Sequence, residues 1–352
     1  MISTIIFTAF VATYIVPVRV PGPMNHPIKY KIVTGAFAFL YDFSRFLEST
    51  IGIPHYILLN TIVDSCDRIK IRTFDRGQVL YHDQYIENVL VRIYTPTNVS
   101  KAALSPVIIF FHVPTEDSIK VVRYVIDNYR EFSIDPKQVF LCGDSAGGNI
   151  AVVVERKLRR EQKPLIRGVL LLYPLLQLVN FRSPSYLRYL PYQILSVLRE
   201  DILTQVTNFY VNALFTENEL FNNQHLSSKD YNKFYSKLNL QISGEHQIIG
   251  ESHPDTWKLF DHNISPLLAD DDILHNTPPT FIGACTYDVL LSDSQLYFQR
   301  LQKLNVKDII YKEYRIFHGA MTFLDFPVAF NEAFDIVYDS AQFIINRTTF
   351  II

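Results

Sequence analysis

The sequence has few of the residues that build disulfide frameworks or metal sites. Its 352 residues include three cysteines, Cys66, Cys142 and Cys285, so at most one disulfide can form. No two of them have the spacing of zinc ligands, and no other motif indicates a metal or an organic cofactor. We therefore expect neither a metal nor a cofactor, and the cysteines leave the redox compartment open.

An excess of charge of one sign is also lacking. The formal net charge is −2, and the 33 basic and 35 acidic residues are mixed along the chain. Because there is no basic stripe to bind a phosphate backbone, we expect no nucleic-acid partner. Hydrophobic residues make up 48% of the chain, which is enough to fill one large core or two smaller ones. The composition predicts a globular protein.

Charged residues are absent from the first segment. Residues Ile2 to Val18 are nearly all apolar, and Arg19 is the first charge. The segment is slightly short for a spanning helix and no small-residue cleavage site follows it, which favours a retained signal anchor over a cleaved peptide. A buried N-terminal helix is the alternative. The pattern predicts attachment to a membrane through residues 2–18.

The orientation of such an anchor stays open from the residues alone. Basic residues follow the segment, and the positive-inside rule would place that side in the cytoplasm. Three glycosylation sequons indicate the opposite, because they have meaning only if the body of the protein is luminal. The sequon asparagines are Asn98, Asn263 and Asn346.

The most informative stretch reads as strand, sharp turn and helix. Gln138 to Leu141 is a short apolar run, residues 143–147 have the pattern Gly-x-Ser-x-Gly, and Gly148 to Gln162 has apolar residues at helical spacing. A serine at the apex of such a turn projects its hydroxyl above the sheet, next to the N-H groups of the helix N-terminus. A plain glycine turn is the alternative, but the flanking strand and helix favour Ser145 as a nucleophile.

Strands and helices alternate along the rest of the chain. A hairpin at residues 78–94 is followed by a buried strand at 106–112, a helix at 115–132 and the serine stretch. After a strand at 166–173 and a long insertion, two further strands and two helices complete the pattern. This order predicts an α/β fold with a mostly parallel sheet and helices on both faces. The insertion predicts a small helical cap.

In such sheets, catalytic groups lie at the carboxyl ends of the strands. Asp288 ends one predicted strand and His318 follows the next. The order Ser145, Asp288, His318 is that of an α/β-hydrolase triad. In it, His318 is the general base and Asp288 orients the imidazole. Each residue alone has an ordinary alternative, a turn residue or one histidine among ten, but three successive strand ends favour the triad.

Four motifs of the sequence carry a family resemblance: Gly143-Asp144-Ser145-Ala146-Gly147-Gly148-Asn149, Ser265-Pro266-Leu267-Leu268-Ala269-Asp270, Thr286-Tyr287-Asp288-Val289-Leu290 and Phe317-His318-Gly319. They resemble the hormone-sensitive-lipase class of α/β-hydrolases, and most closely its arylacetamide deacetylase and neutral cholesterol ester hydrolase group. The resemblance implies a single-pass, type II protein of the endoplasmic reticulum whose luminal domain hydrolyses esters or amides of apolar compounds. It also implies an anchor at 1–19 and a catalytic domain at 20–352, with cap elements at about 20–70 and 175–264.

The chain departs from this class at its oxyanion motif. In members of this class, the strand that corresponds to residues 106–112 is followed by His-Gly-Gly-Gly, a helix and a further strand. In this chain His112 is followed directly by Val113-Pro114-Thr115. Pro114 has no N-H, and no glycine lets the backbone approach an oxyanion. Only the N-H of Ala146 and the remnant His112 remain of that site. We expect the fold to lack one central strand and helix, and the hairpin strands to close the gap.

Two functions follow from these residues. The first is a serine carboxylesterase or deacetylase that acts on apolar substrates through an acyl-enzyme. The second is a catalytically impaired, membrane-anchored protein that keeps the apolar pocket and binds apolar ligands. The intact triad residues favour the first function, and the missing glycines favour the second.

Overall fold

The computed structural model describes residues 8–55, 57, 78–98, 104–111, 115–161, 166–192, 198–238, 251–324 and 329–348. Five of the described strands form a parallel sheet in the order β3-β4-β5-β6-β7, which confirms the predicted α/β fold. The strands are β1 (Val79–Ile86), β2 (Val89–Pro96), β3 (Ser105–Phe111), β4 (Ile134–Asp144), β5 (Gly168–Leu172), β6 (Thr280–Tyr287) and β7 (Ile309–Phe317).

Apart from a short π-helix at Val11–Ile15, the helices fall into a framework set and a set inserted between β5 and β6. The framework helices are α1 (Pro27–Ile51), α2 (Thr115–Asp127), α3 (Ala146–Arg160), α10 (Leu291–Lys303) and α11 (Asn331–Ile345). The inserted ones are α4 (Pro184–Tyr189), α5 (Glu200–Val211), α6 (Glu217–Phe221), α7 (Ser228–Lys237), α8 (Thr256–Leu259) and α9 (Asp271–His275). Single 3-10 turns lie at Leu190–Tyr192, Pro266–Leu268 and Ala320–Phe323.

The centre of the sheet is made of continuous apolar runs. Every residue of β5 is buried, and so are Val139, Phe140 and Leu141 of β4. Strands that are apolar on both faces are stable only where helices cover both sides. Helix α3 packs on β4 and β5, α11 packs on β5, β6 and β7, and α10 packs on β6 and β7. Because the strands are parallel, their carboxyl ends meet at one edge of the sheet. Asp144, Tyr287 and Phe317 end three of them there.

The β1–β2 hairpin corrects one expectation. We predicted that its strands would close the gap next to β3, but in the described residues the hairpin is a separate two-stranded sheet. Its buried apolar residues are Ile86 and Val89 at the turn, and they pack against Val121 and Val125 of α2. Side-chain contacts with α2 therefore hold the hairpin, while most of its length is exposed and pairs only with itself.

Strand β3 consequently borders the sheet. Within the described residues it pairs with β4 on one side and with no strand on the other. Ile108 and Phe110, which point to one face, are 52% and 51% exposed. In an ordinary parallel sheet a helix would cover such side chains, and here that cover is missing from the part of the chain that the structure describes.

The end of helix α2 and the start of strand β4 lie several residues from their predicted positions. Helix α2 ends at Asp127 instead of Phe132, because Asn128 turns the chain and donates its side-chain N-H to the carbonyl oxygen of Tyr124. Strand β4 begins at Ile134, four residues before the predicted start. Ile134 is paired with Ser105 there, so the neighbouring strand extends β4 beyond its apolar run.

The first described residues pack on helix α1. The rings of Phe10 and Tyr14 each lie 5.4 Å from the ring of Phe39, edge to face. A Cβ atom at Gly35 would lie 2.3 Å from the carbonyl oxygen of Tyr14, so only glycine allows this approach. Residues 2–7 of the predicted anchor lie outside the described residues. No helix in the described ranges is both long enough and apolar enough to cross a bilayer.

Candidate active site

A strained turn between β4 and α3 presents Ser145. Its φ is 53° and its ψ is −122°, a region that L-residues rarely occupy. A Cβ at Gly143 would lie 2.2 Å from the carbonyl oxygen of Gly147, and one at Gly147 would lie 2.3 Å from that of Phe111. The two glycines of the motif are therefore required by close backbone contacts, one within the turn and one with the end of β3.

Neighbouring backbone fixes the serine from both sides. The N-H of Ser145 donates to the carbonyl oxygen of Leu172 at 2.9 Å, and its own carbonyl oxygen accepts from the N-H of Leu175 at 3.0 Å. Leu172 is the last residue of β5, and Leu175 lies in the segment that follows it. The position of Ser145 thus depends on this segment as well as on the turn itself.

The three residues predicted from the strand ends lie together. Nε2 of His318 is 2.9 Å from Oγ of Ser145, and Nδ1 of His318 is 2.7 Å from Oδ2 of Asp288. The other oxygen of Asp288, Oδ1, accepts from the N-H of Leu290 at 2.9 Å. Asp288 and His318 are buried, whereas Ser145 is half-buried.

This geometry assigns the imidazole tautomer. A carboxylate only accepts, so Nδ1 of His318 carries the proton that faces Asp288, and Nε2 is left to accept from the Ser145 hydroxyl. Such an arrangement can deprotonate the serine as it attacks a carbonyl carbon and can return the proton to a leaving group. It has the connectivity required for nucleophilic catalysis by serine.

Of the two residues predicted to form the oxyanion site, Ala146 and His112, the structure describes only Ala146. Ala146 is the first residue of α3, so its N-H lies at the helix N-terminus beside the serine. His112 lies outside the described residues, as do Val113 and Pro114. The contact between Gly147 and the carbonyl oxygen of Phe111 shows that β3 ends against the serine turn, where this shortened segment begins.

The three sequon asparagines, Asn98, Asn263 and Asn346, are distant from the serine turn in the sequence, and none of them belongs to β4 or α3. Asn98 is exposed after β2, and Asn346 is exposed at the end of α11. Asn263 is half-buried and donates to Asp261, while Ser265 of the same sequon is buried and accepts from the N-H of Leu178. Asn98 and Asn346 are therefore more accessible than Asn263 in the folded chain.

Two residues next to the site were missed in the sequence. Tyr173, directly after β5, donates its hydroxyl to Oδ2 of Asp144 and places its ring against His318. Asp293 of α10 accepts from the N-H groups of Leu176 and Gln177 and from the Gln177 side chain. Burial raises the pKa of Asp293 to about 7, although these donors favour its charged form. A strand-end position was the only sequence signal for Tyr173.

Neither described cysteine is suited to chemistry. Cys142 and Cys285 are free thiols buried in β4 and β6, and Cys66 lies outside the described residues. Burial raises the pKa of the Cys142 thiol to about 12, and burial likewise raises the pKa of Cys285. Because the thiolate is the reactive form, both are packing residues at neutral pH.

Comparison with known proteins gives consistent matches. Residues 110–235 match the profile of a family described as having the alpha/beta hydrolase fold. The chain is 29% identical to arylacetamide deacetylase of Bos taurus over 63% of its length and 59% of that protein's. It is 27% identical to arylacetamide deacetylase-like 3 of Mus musculus, over 61% of this chain and 56% of that protein. These two matches span less than two thirds of each relative. Neutral cholesterol ester hydrolase 1 of Bos taurus is 24% identical over 94% of this chain and 95% of its own.

Solved structures give the same fold. An esterase of the fungus Rhizomucor miehei superposes with a TM-score of 0.60 at 16% identity, covering 88% of this chain and 95% of that one. An esterase of the archaeon Pyrobaculum calidifontis superposes with a TM-score of 0.58 at 16% identity, covering 90% and 98%. At these identities the likeness shows the fold and nothing finer.

Proposed function

For a chain that has the α/β-hydrolase fold and is homologous to arylacetamide deacetylases and neutral cholesterol ester hydrolases, we propose the activity of a serine carboxylesterase or deacetylase. Its substrates in this proposal are esters or amides of apolar compounds. Esterase and deacetylase homologues support the reaction class. The observation that carries the proposal is the hydrogen-bonded series Ser145, His318 and Asp288.

The proposed reaction runs in two halves. Ser145 Oγ attacks the substrate carbonyl carbon while His318 Nε2 takes its proton, and the N-H of Ala146 donates to the developing oxyanion. His318 then gives the proton to the leaving alcohol or amine, which departs and leaves an acyl-enzyme. In the second half, His318 deprotonates a water molecule that attacks the ester carbonyl. The acid is released, and Ser145 regains its proton.

The shortened oxyanion segment favours a second candidate function. No glycine lies between Phe111 and Thr115, and Pro114 removes one N-H from a segment that begins against the serine turn. Loss of one oxyanion donor typically costs about 10² to 10³ in kcat. A chain that has lost more than one donor would bind apolar ligands without turning them over.

The test compares three purified forms on a short-chain aryl ester: the native chain, Ser145→Ala, and a chain with a Gly-Gly-Gly segment inserted after His112. We expect turnover in the native chain, none above background in Ser145→Ala, and about a hundredfold more in the restored chain. Unfolding midpoints and labelling by a fluorophosphonate check that each form is folded and that Ser145 is reactive. Equal turnover in native and Ser145→Ala would refute the serine mechanism. Activity only after restoration would support the binding function.

We also propose that the chain is a luminal, glycosylated protein of the endoplasmic reticulum membrane, attached through residues 2–18. The uncharged, apolar sequence of that segment supports this. Helix α1 carries a stripe of partly exposed apolar side chains along one side, which suits a surface close to lipid. These side chains are Ile28, Ile32, Phe39, Phe43 and Phe46.

Synthesis of the full chain with microsomes tests this arrangement. We expect the protein to resist alkaline extraction and to gain sugar at Asn98 and Asn346, seen as a mobility shift that an endoglycosidase reverses. Asn98→Gln and Asn346→Gln should each remove one step of the shift. Full extraction at alkaline pH would refute the anchor, and an anchored but unglycosylated chain would refute the luminal orientation.

A further inference from the structure

We propose that Tyr173 is a positioning residue that ties the orientation of His318 to the turn that carries Ser145. This role rests on the proposed function, because it concerns the same base and nucleophile. Among the described residues, Tyr173 makes no hydrogen bond to the Ser145 hydroxyl or to Asp288. Three separate contacts, made by its backbone, its ring and its hydroxyl, carry the inference.

The backbone of Tyr173 lies between two residues that hold Ser145. Leu172 accepts the Ser145 N-H, and Leu175 donates to the Ser145 carbonyl oxygen. Tyr173 has a φ of 38°, which is uncommon for a bulky side chain, and its N-H donates to the carbonyl oxygen of Gly283 at 2.6 Å. Strain of this kind persists where the surroundings impose it, and it occurs often at functional sites.

The ring of Tyr173 packs against the base. Its centroid lies 5.0 Å from that of the His318 imidazole, with an interplanar angle of 67°. This is the edge-to-face arrangement that aromatic pairs prefer. With Asp288 bound at Nδ1, the imidazole can still tilt about that hydrogen bond, and a ring fixed at this distance limits the tilt that would move Nε2 away from Ser145.

The hydroxyl of Tyr173 completes the link on the other side. It donates to Oδ2 of Asp144 at 3.2 Å, and Asp144 is the residue immediately before Ser145. Burial and the nearby carboxylates raise the pKa of Tyr173 well above its ordinary value, so the phenol keeps its proton and remains a donor. One side chain thus contacts the base with its ring and the nucleophile's turn with its hydroxyl.

Two substitutions separate these contacts. Tyr173→Phe keeps the ring and removes the bond to Asp144, whereas Tyr173→Leu removes both. We expect kcat on the aryl ester to fall about tenfold in Tyr173→Phe and about a hundredfold in Tyr173→Leu, with KM within twofold of native, because small misplacements of catalytic groups act on the chemical step. Tyr186→Phe is the matched control, since Tyr186 is also fully buried and its hydroxyl makes no hydrogen bond within the described part of the chain.

A readout that needs no turnover separates this inference from the proposed function. The proton between His318 and Asp288 gives a low-field NMR resonance, assigned by its loss in Asp288→Asn. We expect Tyr173→Leu to shift or broaden it, Tyr173→Phe to move it less, and Tyr186→Phe to leave it unchanged. If the resonance shifts in Tyr173→Leu while the native chain shows no turnover, the positioning role stands and the proposed function fails. An unchanged resonance in Tyr173→Leu, or a kcat within twofold of native in an active enzyme, overturns the inference.

Discussion

Replacement of Asp288 by asparagine is expected to lower kcat/KM on the aryl ester by about 10⁴. Oδ1 of Asp288 accepts from the N-H of Leu290, so the amide oxygen of asparagine must occupy that place. Its amide N-H then faces Nδ1 of His318, which has to accept. The imidazole proton moves to Nε2, and Nε2 can no longer accept from Ser145. The loss comes from the wrong tautomer in an otherwise intact site.

Two measurements check this account of Asp288→Asn. The unfolding midpoint should stay close to that of the native chain, and fluorophosphonate labelling of Ser145 should slow together with turnover. Asp272→Asn, which changes an exposed carboxylate of α9, is the control and should be fully active. A loss smaller than tenfold in Asp288→Asn would contradict the proposed role of Asp288 in orienting His318.

Gly143→Ala is expected to abolish turnover and to lower the free energy of unfolding by about 3 kcal/mol or more. The added Cβ would lie 2.2 Å from the carbonyl oxygen of Gly147 and 2.8 Å from the backbone nitrogen of Gly148. These are backbone atoms in a turn that is already strained, so they cannot move aside without displacing Ser145. The whole strand-turn-helix unit has to shift to accept one methyl group.

A second glycine supplies the control for Gly143→Ala. A Cβ at Gly283 of β6 would meet ring atoms of Phe281 at 3.2 Å and of Tyr314 at 3.4 Å. Side chains can yield by a few tenths of an ångström. Gly283→Ala should therefore lower the free energy of unfolding, measured with denaturant, by less than half as much as Gly143→Ala, and it should keep most of the activity. An equal loss of unfolding free energy in the two variants would mean that the turn around Gly143 is packed no more tightly than the interior around Gly283.

The geometry of the candidate site could be predicted from the sequence because it depends on where strands end. Continuous apolar runs mark β4 and β6, and parallel strands in one sheet bring their carboxyl ends to the same edge. Once Ser145, Asp288 and His318 each follow such a run, the fold brings them together. The structure places the three side chains within hydrogen-bond distance, as the strand ends indicated.

The features that could not be predicted depend on contacts between distant residues. The hairpin stays apart from the sheet because Ile86 and Val89 find partners on α2, and no local pattern reports that choice. Tyr173 gave no motif, since its role depends on a ring contact with His318, far along the chain. The end of α2 was misplaced for a local reason, because the Asn128 side chain competes with the helix.

Within the described residues one side of β3 pairs with no strand, and its exposed side chains bear on the solubility of this protein. The strand reads Ser-Pro-Val-Ile-Ile-Phe-Phe, an uncharged run rich in β-branched and aromatic residues, which is the composition of segments that stack with identical copies. Natural sheets protect such borders with lysines, bulges or covering helices. In the described part of this chain Pro106, near the start of the run, is the one residue in β3 that opposes such stacking. The segment that presses against the serine turn is therefore also the point at which concentrated protein would begin to aggregate.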